Sequence, residues 1–219
     1  MKKLLFSAVA IALMSAAAPN VARASSQKSD AAPAAAQQSQ AATQPTDTTP
    51  PSYDMKPQSL LDLDAMHKKY IDLATAVPQD KYTWRPSEGA RSFSEVFLHV
   101  AGSNYFFLQF LGTPPPANMD MKNFDKSTTD KSQIIDALNK SFDSAHATIE
   151  KMTNADFNKA LPKLGAQANE GDVIYLIVVD LHEHLGQSIA YARANGIVPP
   201  WTVAAQAAAA AKKTADSKQ

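Results

Sequence analysis

Late in the chain, Val173-Ile174-Tyr175-Leu176-Ile177-Val178-Val179 runs without a polar break into Asp180-Leu181-His182-Glu183-His184-Leu185-Gly186-Gln187. Seven consecutive apolar residues would suit a buried strand. However, Leu181, Leu185 and Ile189 continue the pattern at helical spacing, and Gly196 follows as a C-terminal cap, so the run predicts a helix over about 172–195. A helix this apolar must be covered on most of its circumference, and the chain has to supply other helices to do it.

Three further amphipathic patterns meet that need. The first starts near Pro57 and carries Leu60, Leu63, Met66, Tyr70, Ala74 and Val77 until Pro78 stops it. The second opens on the capping box Ser92-Phe93-Ser94-Glu95 and passes Val96, Val100, Phe107 and Leu111 to Gly112 and Pro114-Pro115-Pro116. The third, about 130–152, places Ile135, Leu138, Phe142, Ala145, Ile149 and Met152 nearly in heptad register. No strand pattern competes with them. The expected fold is all-α, a four-helix bundle whose second and third connections are too long for plain up-and-down hairpins.

The 219 residues, 45% of them hydrophobic, suffice for one core. Lys2 and Lys3 before an apolar run from Leu4 to Met14, then Ala22-Arg23-Ala24, predict a signal peptide over 1–24; an uncleaved anchor is the alternative. Residues 25–55, rich in Ala, Gln, Ser, Thr and Pro, read as a disordered linker, residues 56–201 as the bundle domain, and residues 202–219 as a disordered Ala/Lys-rich tail. The mature protein is thus expected to be periplasmic or secreted, with no stable membrane insertion after cleavage. Cysteine is absent, which excludes disulfides, thiolate ligands and a lipid-bearing cysteine. With 21 basic and 21 acidic residues there is no positive field to hold nucleic acid.

Asp180 and His184 are four residues apart, one helical turn, so their side chains leave the same face. With His99 from the second helix they would form a two-histidine, one-carboxylate set that leaves coordination positions open. Each residue also has a plainer reading. Asp180 can lie on a wetter helix edge or pair with Arg193 or Lys69, His184 can be a satisfied core histidine, and His99 a boundary residue. His182 lies about 160° around the helix from His184 and reads as outward-facing. Glu183, on the flank of the pair, and Gln187 are candidates to support the ligands by hydrogen bonds. His67 reads as structural and His146 as solvated.

The residues resemble the DinB-like superfamily of four-helix bundles, which includes the bacillithiol-transferase type. The resemblance covers about 57–201: Trp84-Arg85-Pro86 with Gly89, Arg91 and Ser92, then His99, then His184-Leu185-Gly186-Gln187 with Tyr191 and Arg193. It implies a divalent metal held by a histidine of the second helix and a His-x-x-x-His pair of the last. Here His99 and His184 match, while the first member of the pair falls on Asp180. Zinc is the first expectation for the cofactor, with nickel, manganese or iron as alternatives. The implied activity is a metal-dependent hydrolase or thiol-transferase-like enzyme with a small-molecule substrate. Glu183 and Tyr105 are the side chains considered for proton transfer.

The competing expectation is a non-catalytic bundle that binds a small molecule or serves as a structural, stress-related homodimer. Phe106 and Phe110, one turn apart, would form its interface or a ligand wall. The Trp84-Arg85-Pro86 turn either lids the cleft or fixes how the chain enters the second helix. Gly196 to Trp201 reads as a strap that packs Trp201 on the bundle.

Overall fold

Asp54 accepts a hydrogen bond from the Lys56 backbone N–H and so starts α1, Met55–Ala76, which ends where Pro78 denies it a further donor. The computed structural model describes residues 54–217; the signal peptide and nearly all of the linker read from the sequence lie outside the described residues. The capping box of Ser92 and Glu95 forms as expected and opens α2, Phe93–Leu108. A single 3-10 turn, Gln109–Leu111, follows, and Gly112 at φ +83° ends the run. Asp130 caps α3, Lys131–Lys151, through the Gln133 backbone N–H. A second capping box, Asn169 with Asp172, opens α4, Glu170–Ala194, two residues before the start read from the apolar pattern.

α1 packs against α3 and α4, and α2 packs against the same two helices. The order around the bundle is therefore α1, α3, α2, α4, with α1 facing α2 and α3 facing α4 across the diagonals. At the centre the ring of Tyr70 meets Phe97 edge-on at 6.5 Å and Phe142 at 5.7 Å. All three are buried, and each such ring contributes about 1.5–3 kcal/mol relative to exposure. The Tyr70 hydroxyl keeps its hydrogen bond inside the core by donating to the Leu181 carbonyl at 2.7 Å. On α3 the core position is Ile134, with Ile135 only partly covered, a shift of one residue from the heptad reading.

Two lysines lock α1 and α3 end to end. Lys56, in the first turn of α1, donates to the Glu150 and Met152 carbonyls at the end of α3, at 2.7 and 2.6 Å. Lys131, in the first turn of α3, donates to the Thr75 and Val77 carbonyls at the end of α1. Each cation satisfies carbonyls that a helix end leaves unpaired, and the exchange fixes the pair as antiparallel.

The tail is a correction to the sequence reading. Pro200–Asp216 form a fifth helix, α5, with Pro200 in its first turn. Alanine is the strongest helix former, and the run Ala207–Ala211 outweighs the missing apolar stripe. Residues 203–216 are exposed. Trp201 is partly covered by the core, with the Lys69 ammonium 5.9 Å from its ring, as the strap reading anticipated.

Candidate metal centre

α2 and α4 are neighbours in the bundle, and their contact brings His99, Asp180 and His184 together. One ligating atom from each lies within 4.8 Å of the others. The imidazoles of His99 and His184 stand perpendicular, 4.6 Å between centroids. Asp180 Oδ1 is 3.5 Å from His184 Nε2, and Asp180 Oδ2 is buried with no hydrogen-bond partner. Neither Arg193 nor Lys69 pairs with Asp180 among the described residues. A carboxylate oxygen out of reach of water and unpaired costs several kcal/mol, and a cation between the three side chains would remove that cost. Two neutral nitrogens and one carboxylate oxygen fit zinc, iron, manganese or nickel.

The His184 imidazole is oriented from behind. Its Nδ1–H donates to Gln187 Oε1 at 3.0 Å, and Gln187 Nε2 donates to the Tyr191 hydroxyl at 3.0 Å. This leaves Nε2 of His184 with its lone pair toward Asp180. The Asp180 carboxylate, against the opposing effect of burial, pushes the His184 pKa up. Burial, then the positive charge of Arg91 and the neighbouring His184, push the His99 pKa down. The two histidines are thus separated in basicity, and His184 takes the first proton.

The centre opens on a cavity of about 350 Å³ beside His99 and Asp180, walled by Phe106, Phe107, Met121 and Phe124. Met121 and Phe124 come from the long connection between α2 and α3, which folds back over α2. Gly102 faces it, and a Cβ there would lie in ordinary contact, 3.4 Å from the Phe124 ring. Asp125, on the same wall, lies 3.8 Å from the Arg91 guanidinium.

A family model described as the DinB superfamily matches residues 62–188. The chain belongs to the DinB superfamily. A solved structure, a conserved protein from Enterococcus faecalis, superposes with a TM-score of 0.54 at 13% identity, covering 65% of this chain and 97% of that one; it shares the fold. No curated protein matches.

In this DinB protein the remaining candidates fall in different places. Glu183 is exposed and hydrogen-bonds none of the three donors, because 100° per residue carries it off their face; the hydrogen-bond support comes from Gln187. Tyr105 is buried and faces a separate cavity with Asp136 and Lys140, so it does not reach the centre. Trp84 packs on Phe93 at 5.9 Å and edge-on to Tyr191 at 5.4 Å, bracing the start of α2 instead of covering the cavity. Phe110 stands edge-on to Phe106 at 5.6 Å without lining the cavity. His182 is exposed and pairs with Asp62 at 2.9 Å. His67 stacks on Phe142 at 4.7 Å, and His146 lies between Asp64 and Glu150.

Asp125, Met121 and Phe124 are what the sequence reading missed. They sit in the α2–α3 connection, Met121 in a turn and Phe124 and Asp125 in a single 3-10 turn, Phe124–Lys126, too short to show a hydrophobic period.

Proposed function

We propose that the protein is a divalent-metal-dependent enzyme of the hydrolase or thiol-transferase type, with His99, Asp180 and His184 as the metal ligands. The observation that carries this reading is the buried, unpartnered Asp180 Oδ2 beside two imidazoles whose ligating atoms lie within 4.8 Å of the carboxylate's. Bound there, the ion would supply Lewis-acid activation of a water or a thiol. His99 and His184 give it neutral nitrogens, Gln187 holds the His184 ring in the tautomer that presents Nε2, and Asp180 lowers the net positive charge of the centre relative to three imidazoles. The open side faces the cavity, where a substrate has room to approach.

Export supports hydrolysis over thiol transfer. The basic, apolar and small-residue order of residues 1–24 favours a periplasmic or secreted protein, where reduced low-molecular-weight thiols are scarce.

Elemental analysis of the mature protein purified without chelators tests the reading. It expects near-stoichiometric zinc, nickel, manganese or iron that falls sharply in Asp180→Ala. No metal in either protein, even after incubation with divalent ions, would leave a non-catalytic bundle.

A further inference from the structure

The wall of the cavity beside the centre names a class of ligand. From the geometry we infer that this cavity takes the apolar body of a small molecule, an aromatic ring or short alkyl chain, whose polar donor head reaches the metal; this rests on the metal reading above. Three observations carry it.

The first is chemical. Phe106, Phe107, Met121 and Phe124 wall the cavity next to His99 and Asp180, so a molecule whose head is at the centre must lay its body on three rings and a thioether. The second is exposure. Phe106 is 47% exposed although its ring contacts Phe107 at 5.4 Å and Phe110 at 5.6 Å. An aromatic ring left in water at the mouth of a cavity gains from any apolar group that covers it. The third is charge and size. Asp125, the charged residue on that wall besides the proposed ligand Asp180, has Arg91 at 3.8 Å, so the wall does not call for a charged body. A space of about 350 Å³ suits a small molecule and is too small for a folded partner.

The position of Gly102 fits the same role. Phe124 lies directly over it, 3.4 Å from where a Cβ would stand, so the α2–α3 connection is held against α2 as a wall of the cavity.

The test uses two zinc-binding probes that differ only in body, acetohydroxamate and benzohydroxamate. Zinc uptake by the full mature chain is measured first, then the affinity of each probe for the zinc-loaded protein by calorimetry. Benzohydroxamate is expected to bind at least about tenfold more tightly, the scale of burying a phenyl ring in place of a methyl. That gain should shrink to about threefold or less in Phe106→Ala, which opens the wall, and in Ser103→Phe, which fills the cavity from α2, with zinc content unchanged in both. Equal affinities of the two probes for the zinc-loaded wild type, or a gain that survives both substitutions, would overturn the inference and leave the metal reading standing. Failure to take up zinc or another divalent ion would overturn both. A Phe106→Ala protein that turns a dimer into a monomer in sedimentation would assign the ring to a subunit interface and overturn the inference alone.

Discussion

Asp180 sets one carboxylate oxygen 3.5 Å from His184 Nε2 and buries the other without a partner. Side chains that a plain helix bundle would keep apart or make apolar are held together, at a cost in stability.

That cost makes the first prediction. Without metal, at a pH where His184 is neutral, Asp180→Asn should leave the protein as stable as the wild type or about 1 kcal/mol more so, because it removes a partly buried charge whose second oxygen has no partner. With zinc at a thousandfold excess over its Kd the wild type should gain about 4 kcal/mol, and the variant little of it. Urea titrations with and without zinc read all four values. An Asp180→Asn protein that is both less stable without zinc and fully stabilised by it would remove the carboxylate from the site.

The paired histidines predict opposite responses to pH. In the metal-free protein the His184 pKa is raised, so its protonated form supports the fold below the unfolded value of about 6.5, and that support is lost as pH rises through the folded value. The His99 pKa is lowered, so that ring resists protonation in the fold. Titration followed by NMR should show His184 taking its proton at the higher pH. Metal retention has the reverse sense, since ligation requires the neutral rings, and should fall on acidification as His184 protonates.

Tyr191 touches none of the three ligands and is expected to control one of them. Its hydroxyl fixes the Gln187 amide, which fixes the His184 ring. Tyr191→Phe and Gln187→Ala should each weaken metal binding by about 10- to 100-fold while helix content stays unchanged, as chelator competition and circular dichroism would show.

Glu95 links acid stability to the start of α2. Burial alone would raise its pKa, but hydrogen bonds from Ser92 and the Arg85 guanidinium at 3.1 Å outweigh it and hold the pKa below the ordinary carboxylate value. Its contribution is therefore complete above the unfolded pKa of about 4.3 and is lost as pH falls through the lower folded one. Glu95→Gln should cost about 1 kcal/mol at pH 7, and nothing once the wild-type carboxylate is protonated.

How much of this was legible follows from where each signal lies. Periodicity carries over many residues, so Leu63, Leu138 and Leu181 could be placed in a core, and Ser92-x-x-Glu95 announced α2 by local hydrogen bonding. Asp180 and His184 were readable because a helix puts residues four apart on one face. The Asn169-x-x-Asp172 box was present in the sequence but stood in the shadow of the apolar run. Long-range exchanges left no local trace: Lys56 and Lys131 cap helix ends about 95 and 55 residues away, which no window along the chain contains. The same holds for Phe124 and Asp125, whose role arises only because their loop turns back onto α2.

α2 and α4, which carry the three candidate ligands, are adjacent in space but about eighty residues apart in sequence. An unfolded chain therefore offers no preformed set of all three donors, and a metal held by all three could be captured only after α4 has docked on α2. Because the intrinsic preference among divalent ions follows a fixed order that a simple donor set does little to alter, the choice of any ion held there would pass from the ligands to geography: it would be the one available where α4 closes onto α2.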